Sequence, residues 1–337
     1  MRTAFGAEFD VPAGYLNTPS IGIPPAAVAD AVAASVEAWR AGAHQPGDFD
    51  PLVARARESF ARLVGVPADR IAIGAAVSQL LASVAAGLPE GARVLTAEGE
   101  FTSATFPFAA RGARVTEVPV AELPGAVRGH DLVVVSVAQS RDGALVDLDA
   151  LRAESEAAGV PVALDATQAA GWLPLDLEWA DWVVAAGYKW LMSPRGCAWL
   201  AVHPRAAERT VPVAANWYAG EDPWQATYGM PLRLAEGPRR FDVSPVWFAH
   251  AGAAVALPYL ASLDLTAVRA HDVKLADTLL TRLGLPERGS AIVALDADPA
   301  ALARAGVTAS VRAGRARVGF HLYNTEDDVE RVVDALR

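Results

Sequence analysis

From about residue 50 onward, short apolar runs rich in β-branched residues alternate with segments of helical periodicity, and this alternation restricts the fold more than any other feature. Arg70–Ile73 is strand-like and leads into a helical stretch, Ser78–Leu88. Arg93–Thr96 reads as a strand, the segment through Phe108 as a helix and Arg114–Val118 as a strand. Leu132–Val137 is a continuous apolar run, as expected of a strand buried on both faces. A helix over Leu148–Ala158 and strands over Val160–Leu164, Trp182–Ala186 and Cys197–Val202 continue the pattern. Such alternation predicts an α/β fold, a mainly parallel sheet wrapped by helices, with ligands bound at the carboxyl ends of the strands. The last third changes character. Helix-like stretches over Ala249–Leu263 and Thr266–Leu283 precede short strands near Ala291–Leu295 and Arg317–Phe320, and Thr325 is placed to cap a final helix. We therefore expect a large domain over residues 15–245 and a smaller α+β domain over 246–337, completed by residues 1–14.

Composition narrows the functional classes. Of 337 residues, 53% are apolar and 20% charged, the balance of a globular chain with a sizeable core. A net charge of −10 argues against nucleic-acid binding, which needs a basic surface. No window approaches a membrane span, and Met1–Phe5 begins no signal peptide, so a cytoplasmic location is expected. The single cysteine, Cys197, excludes an internal disulfide and a thiolate metal cluster. Among 29 basic residues only Lys189 and Lys274 are lysines. Lys274 sits in what reads as a solvated helix face. Lys189 does not.

Lys189 lies in Gly187-Tyr188-Lys189-Trp190, directly after an apolar strand and between aromatic residues. Desolvation there lowers an amine's pKa and makes it a nucleophile toward an aldehyde. Asp165, 24 residues earlier, ends the strand Val160–Leu164 and is followed by Gln168. A carboxylate at the end of a buried strand is costly unless something cationic pairs with it, and a protonated pyridine nitrogen is one such partner. A helix N-cap or a metal ligand remains open for Asp165 taken alone.

The runs Asp165-Ala166-Thr167-Gln168-Ala169-Ala170-Gly171, Ala186–Leu191 and Pro194-Arg195-Gly196 together resemble the class V aminotransferase family. These are fold-type I enzymes dependent on pyridoxal 5'-phosphate (PLP), and they include cysteine desulfurases, kynureninases and isopenicillin-N-epimerase-like proteins. The resemblance extends from about Tyr15 to the C-terminus. It implies that Lys189 holds PLP covalently, that Asp165 pairs with the pyridinium nitrogen and that Gln168 bonds the ring hydroxyl. Val77 and Ser78, opening a helix after a strand, would cradle the phosphate. Tyr188 would reach the phosphate, Phe101 would stack on the ring, and Ser140 would line ring and substrate. Arg317, in Arg317-Val318-Gly319-Phe320-His321-Leu322-Tyr323-Asn324-Thr325, would bind a substrate α-carboxylate. Arg312 is expected to be structural. Trp217 resembles an aromatic of the kynureninase-type pocket. The segment Arg239–Ser244 resembles one whose Ser244 reaches a partner subunit's phosphate, which implies a homodimer with shared active sites.

The chain departs from its relatives in two places. Desulfurases relay sulfur through a loop cysteine, whereas Cys197 sits inside an apolar run, so persulfide chemistry of that kind is not expected. Ala186 replaces a hydroxyl residue that commonly touches the phosphate. The expected activity is that of a PLP enzyme acting on an amino acid, with aminotransferase-type chemistry favoured over β-elimination (a C–S lyase) or epimerisation. A catalytically inert binding protein is the remote alternative. A nicotinamide dehydrogenase is disfavoured because no Gly-x-Gly-x-x-Gly follows a strand.

Overall fold

The computed structural model describes residues 1–337. In chain order the elements are β1 (Arg2–Ala4), β2 (Ala7–Phe9), α1 (Ala26–Arg40), α2 (Asp50–Val64), β3 (Ile71–Gly74), α3 (Val77–Ala85), β4 (Arg93–Ala97), α4 (Thr102–Ala109), β5 (Arg114–Val118) and β6 (Leu132–Ser136). They continue with α5 (Leu148–Ala158), β7 (Val162–Asp165), β8 (Trp182–Ala186), β9 (Ala198–Val202), α6 (Trp247–Ala261) and α7 (Leu265–Arg282). The chain finishes with β10 (Ile292–Leu295), α8 (Pro299–Arg304), β11 (Ser310–Arg312), β12 (Arg315–Gly319) and α9 (Glu326–Ala335).

Seven strands form one sheet in the order β3-β9-β8-β7-β6-β4-β5. Alternation along each strand divides its side chains between two cores, as the two-residue period of a pleated strand requires. Val133, Val135, Leu164 and Val183 face the core built with α1, α2, α5 and α6. Val134, Ala163, Trp182 and Val184 face the core built with α3 and α4. Every residue of β6, β7 and β8 is buried, which explains why these segments read as unbroken apolar runs.

The sheet is mainly parallel, as expected, with one strand reversed. β4, β5, β6, β7 and β8 run parallel, but β9 is antiparallel to both β8 and β3. The reason is local. Between β8 and β9 the chain makes no helical crossover and turns straight back through Gly187–Cys197, so the next strand must run in the opposite direction. That reversal carries Lys189.

A second sheet, β10-β12-β11, packs with α7, α8 and α9 around its own core. Thr325 caps α9 as expected, in a reciprocal box with Asp328. Arg2 donates to both oxygens of Asp328 at 2.5 and 3.0 Å, tying the N-terminal hairpin to this unit. α6 lies beyond the boundary expected at residue 245, yet its Ala249, Ala253, Ala256 and Leu257 belong to the large core beside α1 and α2. No single helix is long and apolar enough to cross a membrane; α6 and α7 together would be, but they meet at 92°.

One buried ion pair links this framework to the site. Asp242, 1% exposed, accepts from Arg57 Nη2 at 2.7 Å and from the backbone N–H of Ile73 at 2.8 Å. Val243 N donates to Ile73 O at 3.0 Å, so this segment covers the free edge of β3 just ahead of α3. Burial pushes the Asp242 carboxyl up, and Arg57 works against that shift. Arg57→Ala would remove the bidentate partner of a buried carboxylate and leave only Arg239, 3.9 Å away, to compensate its charge. The expected loss is about 3 kcal/mol of unfolding free energy, read by urea denaturation of the cofactor-free protein.

Candidate active site

The β8–β9 reversal is held by its own backbone. Ser193 N donates to Gly187 O and Met192 N to Lys189 O, each at 3.0 Å, while Met192 sits in the left-handed region at φ 50°. The N-terminal segment clamps the loop from outside, with Gly22 N donating to Tyr188 O at 3.0 Å. A Cβ on Gly22 would lie 1.9 Å from Lys189 O, so no other residue permits this approach. The result is a lysine only 6% exposed. Burial lowers its pKa to about 8; Asp165 opposes the shift, and Arg317, Arg312 and Arg195 add to it.

Asp165 ends β7 on the neighbouring parallel strand. Its Oδ1 accepts from Thr167 N at 2.8 Å. Burial raises its pKa to about 6, Thr167 acts against that rise, and Glu100 adds to it. Lys189 Nζ lies over the Phe101 ring, 5.2 Å from its centroid, and 5.8 Å from that of Tyr188. Phe101 is positioned by Glu100, whose carboxylate accepts from Phe101 N at 2.7 Å, Ser136 N at 2.8 Å, Ser136 Oγ at 2.6 Å and Gln139 Nε2 at 2.9 Å.

These groups enclose a cavity of about 120 Å³ that also includes Ala76, Val77, Ser78, Ser140 and Gln168. α3 begins there with Ala76 at its N-cap and no side-chain cap, so the first-turn N–H groups are free to meet an anion. A larger cleft of about 730 Å³ shares Phe101, Ser140, Tyr188, Lys189 and Arg195 with it and continues to Arg317. Arg317 is 1% exposed, and every partner it has is a neutral oxygen. Its Nη2 donates to Ser20 Oγ at 2.9 Å, its Nε to Ser310 Oγ at 3.2 Å, and its Nη1 to Ser140 Oγ at 3.0 Å and to Ser140 O. A buried guanidinium without a carboxylate partner is poised for an anionic ligand.

Lys189, Asp165, Gln168, Ser140, Phe101, Tyr188, Val77, Ser78 and Arg317 are thus brought together. Trp217 and Ser244 are not. Trp217 packs on Tyr218 and Trp224, and Ser244 is exposed beyond the β3 edge, so neither lines the cleft of its own chain. Gln168 is placed as expected but is fully engaged: Nε2 donates to Pro19 O at 3.0 Å and Ser140 Oγ at 3.1 Å, and Oε1 accepts from Trp190 Nε1 at 2.7 Å. Arg312, expected to be structural, lines the cleft and depresses Lys189. Arg195 is a residue the sequence reading assigned no role; its guanidinium lies 5.1 Å from the Tyr188 ring centroid and lines both cavities. Its position inside the motif Pro194-Arg195-Gly196 was the available signal. Cys197 is buried with its thiol pKa pushed up, which leaves it inert. Lys274 pairs with Glu326 at 3.0 Å on an exposed face, as expected.

A family model described as Aminotransferase class-V matches residues 24–290. The uncharacterized aminotransferase YcbU of Bacillus subtilis (strain 168) is 26% identical over 309 residues, covering 83% of this chain and 82% of that protein. Isopenicillin N epimerase of Streptomyces clavuligerus is 28% identical over 354 residues, covering 87% of each. Among solved structures, a variant of C-DES with glycine covalently linked to its PLP cofactor superposes with a TM-score of 0.83 at 20% identity, covering 97% of this chain and 96% of that one. PLP is accordingly the cofactor of this site. The residues present fit it: a buried carboxylate without an ion-pair partner for a pyridinium, an aromatic face, an uncapped helix N-terminus for a phosphate and a desolvated amine.

With only two lysines, the amine can be followed directly. In cofactor-free protein, Lys189 is charged below about pH 8 and neutral above it. Its reductive methylation, followed by peptide mass spectrometry, should therefore rise through pH 8. Arg317→Met removes a neighbouring positive charge, stabilises the ammonium and should move the midpoint up.

Proposed function

The chain belongs to the class-V aminotransferase family, and from that membership and the cleft's geometry we propose that it is a PLP-dependent aminotransferase acting on an amino acid. The observation that carries the reading is the proton inventory of the cleft. Apart from Asp165, reserved for the ring nitrogen, Lys189 is the one lining group with a pKa brought near neutrality, and the ring facing it is Phe101, which has no proton to give. A single base must return a proton to the side from which it took it. That suits proton movement between Cα and the cofactor carbon, and it disfavours inversion at Cα, which a second acid on the opposite face would serve.

Within this reading each residue has a limited task. Arg317 receives the substrate α-carboxylate, held in place by Ser20, Ser140 and Ser310. Lys189 Nζ accepts the Cα proton and returns it, at a pKa matched to neutral pH. Asp165 keeps a proton on the ring nitrogen. The first turn of α3, with Val77 and Ser78, holds the phosphate. PLP itself supplies an electron sink for the pair left at Cα.

The homodimer implied by the Arg239–Ser244 segment belongs to the same proposal. Beside Ser244 lies an aromatic surface cluster: Trp247 stacks on Phe49 with centroids 5.1 Å apart, and the largely exposed Trp39 meets Phe248. Exposed aromatic surface of this kind, with Trp39 64% and Trp247 37% exposed, supports a partner there. Sedimentation equilibrium should give twice the 35.2 kDa chain.

Mixing the holoenzyme with a panel of amino acids tests the reaction. The expected outcome is a 2-oxo acid together with cofactor converted to its amine form. Pyruvate with unchanged cofactor would indicate elimination, and a D-amino acid epimerisation; either result sinks the aminotransferase reading. Lys189→Ala should abolish turnover. Arg317→Met should raise the half-saturating amino-acid concentration about 10- to 150-fold, as expected for losing charge-assisted bonds worth about 1.5–3 kcal/mol.

A further inference from the structure

Ser140 sits where the small cavity opens into the large cleft, in bonds whose directions are fixed by chemistry. An indole N–H can only donate, so the Gln168 atom 2.7 Å from Trp190 Nε1 is the amide oxygen. A carbonyl can only accept, so the Gln168 atom 3.0 Å from Pro19 O is the amide nitrogen. The amide is thereby oriented, and its remaining proton goes to Ser140 Oγ at 3.1 Å. Arg317 Nη1, which has no lone pair, donates to the same oxygen at 3.0 Å. Both lone pairs of Ser140 Oγ are filled by groups that cannot accept. Its own proton must point elsewhere, and no protein acceptor takes it.

We propose that Ser140, not Gln168, donates the hydrogen bond to the ring oxygen of PLP. The inference rests on the PLP reading of the site. Gln168 has no free proton to give and acts one bond away, as a positioning residue that fills one Ser140 lone pair. Arg317 fills the other, so the arginine that receives substrate also fixes the direction of a bond to the cofactor.

The ring oxygen's negative charge is least compensated once the neighbouring lysine-linked nitrogen has lost its proton. A donor to that oxygen favours the deprotonated state and lowers the pH at which the proton leaves. Removing the donor should therefore move the transition upward by about one pH unit, the size of a hydrogen bond to a charged oxygen.

The experiment is a pH titration of the visible absorbance of the bound cofactor, without amino acid, in wild type, Ser140→Ala and Ser140→Thr. We expect the Ala midpoint to rise by about one unit and the Thr midpoint to stay close to wild type. Melting temperatures of the cofactor-free proteins check that all three fold. Should Ser140→Ala not fold, Ser140→Cys, with its far weaker donor, gives the same comparison. An Ala midpoint equal to wild type overturns the proposal. So does an Ala variant that keeps the midpoint and only binds amino acids more weakly, which would assign the proton to the substrate carboxylate. A wild-type protein with no visible band would overturn the cofactor reading, and this inference with it.

Discussion

Asp165, Lys189 and Arg317 are nearly fully buried around one cleft, and none has an ion-pair partner within 4 Å. Each such charge costs several kcal/mol unless something compensates it, so the surrounding fold has to hold them against their own tendency to reach water. The sheet does this by placing Asp165 at the end of β7 and Lys189 just past the end of β8, its parallel neighbour. The absence of a crossover after β8 keeps the lysine on a short reversal, where a helix would have carried it away from Asp165. The partly neutralising pKa shifts, Asp165 up to about 6 and Lys189 down to about 8, are the mark of this tension. A bound pyridinium and an amino-acid carboxylate would relieve it.

The same tension explains the polar chain that crosses the protein behind the cleft. Trp190, adjacent to Lys189, donates its indole proton to Gln168, and its carbonyl meets His321 Nε2 at 3.1 Å. His321 Nδ1 in turn lies 3.1 Å from Asp272 Oδ2 on α7. The carbonyl can only accept, so His321 donates there; burial pushes the Asp272 carboxyl up, and His321 opposes that shift. The lysine loop is thus fastened both to the large sheet and to the smaller unit. That unit also supplies Arg317, on the strand that ends just before His321. Arg317 and Lys189 are held at a separation that both units of the fold define, which is what positioning of reactants would require.

Much of this was legible because the central strands are buried on both faces, so a polar residue at the end of an apolar run stands out. Asp165 and Lys189 are such residues. α1 was not legible: only Val28 and Ser35 are buried along it, too few to give an apolar stripe. The strand expected to start at Val160 begins at Val162, because Pro161 has no N–H for the ladder. Glu100 was missed because three of the four hydrogen bonds it accepts come from Ser136 and Gln139, far along the chain, and nothing local reports that. Arg195 lies within the Pro194-Arg195-Gly196 motif without a role, and Arg312 is expected to be structural, until the structure shows both lining the cleft. Gln168 was located through its motif, but the direction of its bonds depends on Trp190 and Pro19, which spacing alone does not connect.

The cleft divides into a floor and a wall with different origins. The floor is set by strand ends and the first turn of α3. The wall is apolar and comes from the N-terminal segment, α1 and the lysine loop, with Ile21, Pro24, Val28, Val32 and Met192 facing the opening. A change on the wall alters which side chain fits without moving Lys189 or Asp165. Relatives that carry the names of an aminotransferase and an epimerase can therefore share one framework. In this chain the ring that Lys189 Nζ lies over is Phe101, fixed by a buried glutamate, and an aromatic ring of this kind has no acidic proton to exchange.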